Sequence, residues 1–135
     1  MRKPVRVLAA GCFNRIHAAH LSMLRMARTF GDELVVVLAH DAHNRKAGAV
    51  PGKMRMRWME SLGLADQVVM GRPEGFAQTV RELRPGVVAL GHDQHFPDRE
   101  TAAVIEALAV EVVRLPWCVG RERAVLPPEA QTSHG

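Results

Sequence analysis

Five short apolar runs recur along the chain: "VRVLAA" (5–10), "ELVVVLA" (33–39), "QVVMG" (67–71), "GVVALG" (86–91) and "EVVRLP" (111–116). They are continuous rather than alternating, which is the pattern of parallel strands buried on both faces. Between them Leu21, Leu24, Ala27 and Phe30 recur at helical spacing, as do Met54, Trp58, Met59 and Leu62, then Val80 and Leu83, then Ile105 and Leu108. The expected order is β-α-β-α-β-α-β-α-β. Right-handed crossovers convert that order into an α/β fold, a Rossmann-like, doubly wound, five-stranded parallel sheet with helices on both faces.

Length and punctuation set the boundaries. At 135 residues the chain has the length of one domain and can bury enough surface to fold without a disulfide framework. Gly31 and Asp32 mark the stop of the first helix, residues 47–52 a Gly/Pro loop, and residues 73–75 a further turn. After Pro116 the periodicity fails in "WCVGRERAVLPPEAQTSHG". We therefore expect an α/β domain over residues 1–116 and an irregular tail over residues 117–135, either extended or facing a second subunit.

Composition narrows the function classes. No apolar stretch approaches the roughly 20 residues of a membrane span, and the apolar part of the N-terminus is short for a signal peptide, so a cytoplasmic protein without a membrane partner is expected. Cys12 and Cys118, with no CxxC spacing, read as reduced thiols, with a disulfide between them left open. The net charge of +4 is spread along the chain without a Lys/Arg block or interleaved aromatics, which favours anionic small molecules over nucleic acid. Arginine outnumbers lysine, a composition that suits phosphate recognition and equally a GC-rich genome.

In open parallel sheets ligands bind outside the carboxyl ends of the strands. The stretches leaving those ends are "GCFNRIHAAH", "HDAHNRK" and "GHDQHFPDRE", so six of the seven histidines fall on one edge, as the HxxH pairs His17/His20, His40/His43 and His92/His95. Imidazoles are common zinc ligands, but these pairs have no Cys or Glu partner at a recognised spacing, and His43 and His95 read better as solvated loop residues. The first pair reads differently. Gly11 closes the strand, Ala18 and Ala19 are small enough to let a ligand approach, His17 precedes the helix and His20 lies in its first turn. An anion belongs there, beside free backbone N–H groups and the positive end of the helix dipole, with imidazoles donating to phosphoryl oxygens.

The stretch "GCFNRIHAAH" resembles the GxFDxxHxGH signature of the nucleotidylyltransferase superfamily, and "GDELVVVLAHD", "RK", "PGKMRMRWMESL", "ADQVVMG", "LRPGVVALGHDQHF" and "VVRLP" continue the likeness over residues 5–116. Within that superfamily the chain is most similar to archaeal-type FAD synthases and glycerol-3-phosphate cytidylyltransferases. The resemblance implies attack of a phosphorylated acceptor on the α-phosphorus of a nucleoside triphosphate, with pyrophosphate release and a divalent cation, usually Mg²⁺. Adenylyl transfer from ATP to FMN is the specific expectation. Alternatives are cytidylyl transfer to glycerol 3-phosphate or a similar alcohol phosphate, a nucleotide-binding protein that has lost catalysis, and a metal-dependent hydrolase.

The same resemblance implies site residues. His17, His20 and Lys46 would be catalytic. Gly11, Cys12, Phe13, Asn14, Gly91, His92 and Asp93 would join the histidines around the nucleotide, with Asp93 near base or ribose. Arg55 would serve either the packing of the second crossover helix or the ligand. Cys12, Asn14 and Ala19 depart from the Thr, Asp and Gly of the pattern, and a late Ser/Thr-rich phosphate motif has no clear counterpart. Arg121 and Arg123 are the candidates to replace it, and "QTSHG" offers Thr132 and Ser133. Dimers are common in the family, so a homodimer is compatible, with "LPWCV" as a candidate interface.

Overall fold

The computed structural model of the protein describes residues 3–92 and 94–116. Over them the chain runs β1 (Arg6–Gly11), α1 (Ala18–Arg28), β2 (Glu33–Leu38), α2 (Gly52–Leu62), β3 (Gln67–Met70), α3 (Phe76–Leu83), β4 (Val87–Leu90), α4 (Arg99–Ala107) and β5 (Glu111–Arg114). The strands form one parallel sheet in the order β3-β2-β1-β4-β5. The α/β alternation expected from the apolar runs is thus present, element by element. The tail expected over 117–135 lies outside the described residues.

The period of two along each strand divides the core. Val7, Ala9, Leu34, Val36, Leu38, Val87 and Ala89 face Leu21, Leu24 and Ala27 of α1 and Trp58 and Met59 of α2. Leu8, Val35, Val37, Val88 and Leu90 face Ala77 and Val80 of α3 and Val104 and Ile105 of α4. Fully burying each of the valine, leucine, isoleucine and methionine side chains contributes about 1.5–3 kcal/mol, so this two-sided burial, rather than any polar contact, holds the layers together. β4 is buried throughout, β2 nearly so and β1 over Val7–Ala9. β3 and β5 are edges, and Val112 at 40% exposure shows that a continuous apolar run does not guarantee burial on both faces.

Two residues expected on apolar helix faces lie elsewhere. Phe30 falls beyond the end of α1 and is 43% exposed, and Met54 in the first turn of α2 is equally exposed. Helical spacing marks a face, but α1 has already ended with its C-cap at Thr29, before Phe30. A short 3-10 turn over Asp41–His43, which carries no apolar period, was also not foreseen.

Strand order reverses between β1 and β4. From β1 the chain winds outward through β2 to β3, then returns through α3 to β4 on the other side of β1. The loops that leave β1 and β4 therefore diverge to opposite faces and open a crevice at their carboxyl ends, where a ligand can sit. Among the described residues no helix is long and apolar enough to cross a membrane.

Candidate active site

The turn after β1 is built around an aromatic ring. Phe13 takes a left-handed backbone conformation (φ 54°), and its ring folds back so closely that a Cβ on Gly11 would lie 2.9 Å from Phe13 Cε2. Glycine is needed at position 11 for this close approach. The ring, 7% exposed, meets His20 edge-on with centroids 5.5 Å apart, and so orients the imidazole from behind.

His17 is the N-cap of α1, in extended conformation, and His20 is the third helical residue. The His17 backbone N–H donates to His20 Nδ1 at 3.0 Å, and the His17 carbonyl accepts from the N–H of His20 at 2.9 Å. The two rings lie 5.5 Å apart, tilted by 32°. Burial, and secondarily the neighbouring His17, hold the His20 pKa below its ordinary value. His20 is therefore neutral near pH 7, and with Nδ1 accepting, its proton sits on Nε2. No acidic side chain occupies the first turn of α1 to offset the positive end of the dipole from within the helix. Ala19 is not in the lining of the cleft that His17 and His20 border: it is buried, 3% exposed.

Arg55 organises the facing loop. Its guanidinium, wholly buried, donates to the carbonyl of Cys12 at 2.9 Å, to that of Val50 at 2.7 Å and to the Asp41 carboxylate at 2.8 Å. Of the two roles considered for it, these bonds commit it to the protein's own frame, joining the end of β1 to the entry of α2. The Arg55 hydrogen bond holds the Asp41 carboxyl below the usual carboxylate range, helped by the backbone N–H of Gly52 and opposed by partial desolvation. Asn14 and Asn44 pair amide to amide, each Nδ2 donating to the other's Oδ1 at 2.8 Å.

The third wall comes from the loop after β4. Gln94 accepts from the Gly91 N–H at 2.7 Å and donates to the Ala10 carbonyl at 2.9 Å, bridging the ends of β4 and β1. Arg114 donates to the carbonyls of Gly91, His92 and Gln94. Sequence reasoning passed over both. Gln94 stood in "GHDQ" beside the more conspicuous Asp93, and nothing about Arg114 in a strand signals that it would reach back to a loop.

These walls enclose a cleft of about 790 Å³ whose lining includes Gly11, Cys12, Phe13, Asn14, His17, His20, Lys46, Gly91 and His92. Every described member of the expected site is thus in one place; Asp93, Arg121, Arg123, Thr132 and Ser133 lie outside the described residues, as does Cys118. A second cleft of about 420 Å³ adjoins the first, and the two share Ala10, Gly11, Cys12 and Gln94. His40, His43 and His95 border this second cleft. His40 Nδ1 accepts from the Ala42 N–H, and His43 Nε2 donates to the Pro73 carbonyl at 2.8 Å, so both histidines fasten loops. Among the described residues no group of three metal-ligating side chains forms.

The family described as cytidylyltransferase-like matches residues 8–133. An FAD synthase from Pyrococcus horikoshii is 35% identical over 90% of this chain and 87% of its own length. One from Methanosarcina acetivorans is 35% identical over 82% of this chain and 76% of its own. A crystal structure described as a lipopolysaccharide core biosynthesis protein, from Thermoplasma volcanium, superposes with a TM-score of 0.72 at 30% identity, covering 87% of this chain and 99% of that one. At 10% identity and a TM-score of 0.57, a pantoate-beta-alanine ligase from Francisella tularensis shares the fold alone.

Proposed function

This chain belongs to the cytidylyltransferase-like family, and on that premise we propose that it is a nucleotidyltransferase making FAD, moving the adenylyl group of ATP onto FMN with release of pyrophosphate. The observation that carries the geometry of this reading is the pair of clefts that meet at Gly11 and Cys12. ATP occupies the larger, with its triphosphate at the mouth of α1. FMN enters from the smaller, whose lining includes Phe76, Phe96 and Pro97, an apolar setting suited to a flavin ring, with Arg72 at hand for an anion.

In this arrangement a phosphate oxygen of FMN attacks the α-phosphorus in line, the new P–O bond forms, and the bond to the β-bridging oxygen breaks. His20, donating through Nε2, and His17 stabilise the charge that builds on the non-bridging oxygens, and Lys46 meets the leaving pyrophosphate. Gly91 and His92 border the nucleoside, with Asp93 assigned to base or ribose and Arg121 to phosphate. A divalent cation, Mg²⁺ in this proposal, would enter with the triphosphate and be held chiefly by its phosphate oxygens. When bound it screens the triphosphate charge. The enzyme is cytoplasmic in this reading, and a homodimer is compatible with it.

Purified protein with ATP, FMN and Mg²⁺ is expected to yield equimolar FAD and pyrophosphate. Product from CTP and glycerol 3-phosphate but not from ATP and FMN would replace the flavin assignment with the cytidylyl one. Nucleotide binding without turnover by either pair would leave a binding protein.

A further inference from the structure

Lys46 sits in an exposed stretch, residues 45–49, that packing against the core does not hold. Both ends of that stretch are nevertheless fixed, and by one side chain. Asn14 Oδ1 accepts from Asn44 Nδ2 at 2.8 Å and from the Val50 backbone N–H at 2.9 Å, while Asn14 Nδ2 donates to Asn44 Oδ1 at 2.8 Å. The Val50 carbonyl, on the other side of the same residue, accepts from Arg55 Nε at 2.7 Å. Within the stretch the Ala49 N–H reaches the Lys46 carbonyl at 3.1 Å, and Gly48 supplies the positive φ of 76° that such a reversal needs.

We propose that Asn14 is a positioning residue whose amide closes residues 45–49 into a fixed loop and thereby sets the place of Lys46 over the triphosphate. The inference rests on the reading of the larger cleft as the ATP site. Asn44 is only 6% exposed and Asn14 is half-buried, so the pair is partly shielded from water, and bonds so shielded hold their geometry more firmly than fully exposed ones could. A flexible four-carbon side chain gains affinity when its backbone is already in place, since less freedom is lost on binding. Asn14 spans two loops at once: it leaves β1 on the same side as His17, and it grips the loop from β2. It thus couples the helix mouth to the lysine without itself needing to touch the nucleotide.

The test is a double-mutant cycle in ATP affinity, read by calorimetry with ATP and Mg²⁺ and no FMN, using Asn14→Ala, Lys46→Ala and the double variant. Each single variant is expected to weaken binding by about tenfold, and the double variant to bind no more weakly than Lys46→Ala, the signature of one residue acting through the other. Effects that multiply, or an Asn14→Ala protein with unchanged affinity, would overturn the proposal. Hydrogen exchange on the ligand-free wild type decides the clamp even if the variants fold poorly. The Val50 amide should exchange far more slowly than those of residues 46–48, and equal rates would refute it. Wild type that shows this protection yet binds no ATP would overturn the ATP-site reading and with it the role given to Lys46, while leaving the clamp itself in place.

Discussion

The backbone N–H of His17 donates to Nδ1 of His20, at 3.0 Å, and that bond decides which nitrogen of His20 keeps the proton. A neutral imidazole accepting at Nδ1 must carry its hydrogen on Nε2. The cap of α1 and the proposed phosphate donor are therefore one device, since the bond that satisfies the helix's first free N–H also fixes the tautomer of the residue that lines the cleft.

His17→Ala and His20→Ala should each lower the rate of FAD formation by about 100-fold or more while remaining folded, since one lost transition-state donor costs that much. Single-turnover rates and far-UV circular dichroism together check it. Full activity in both variants would remove the histidines from the catalytic role.

The pH profile follows from His20. Its pKa in the folded protein lies below the ordinary 6.5, so between the two values the unfolded chain binds the proton and the folded site does not. The stability contribution of the neutral ring is therefore complete above pH 6.5 and falls as pH drops toward the folded value. The acid limb of kcat/KM should likewise lie below 6.5. Because the neighbouring His17 is one cause of the shift, His17→Gln should raise the His20 pKa part of the way back, read by NMR titration of the ring protons. Asp41 and Asp98 have depressed carboxyl pKa values, held down by the Arg55 and Thr101 hydrogen bonds respectively. Their contribution is present above the ordinary 3.8 and is lost as pH falls further.

Arg55→Met should destabilise the fold and impair turnover together. Asp41 is largely exposed and rehydrates when its partner goes, so the cost comes mainly from the Cys12 carbonyl left without its donor and the Val50 carbonyl left with only the 3.5 Å bond from Asn44 Nδ2, about 1–3 kcal/mol. Urea denaturation measures it. Arg55→Lys should recover only part, because an ammonium cannot reproduce three bonds from a planar fork. Asp41→Asn should cost less than either.

Gly11→Ala should act on His20 from a distance. The added methyl group meets the Phe13 ring at 2.9 Å, and the ring is packed against His20, so relief of the clash displaces the imidazole. A stability loss of about 1–3 kcal/mol and a fall in kcat larger than the rise in KM are expected. An unchanged kcat would show that Phe13 can move without taking His20 along.

Ala19→Gly restores the residue of the resembling signature but should not improve the enzyme. Ala19 is buried and is not in the cleft lining, so the change is expected to leave KM for both substrates as it was and to lower stability by about 0.5–1 kcal/mol, the cost of glycine in a helix. A marked drop in KM would mean that the methyl group does border the substrate.

The elements and the histidine pair were legible in the sequence because both are local. An apolar run of β-branched residues bounded by turns reports its own burial, and alternation of such runs with helical periods leaves few topologies beyond a doubly wound sheet. His17 and His20 are three residues apart, so their meeting at a helix mouth needs nothing from the rest of the chain. What the tertiary structure decided is the company each polar residue keeps. Asn14 finds Asn44 across 30 residues, Arg55 finds Cys12 across 43, and Gln94 finds Ala10 across 84. No periodicity or spacing encodes such partners, because a side-chain amide or guanidinium has the same local signature whether it meets solvent, ligand or a distant backbone carbonyl. The sequence alone determined where the cleft would lie and which histidines would line it. Folding determined that Arg55 and Gln94 brace the frame, that Ala19 is buried, and that a second cleft opens beside the first, since each depends on which chain segments the sheet brings into contact.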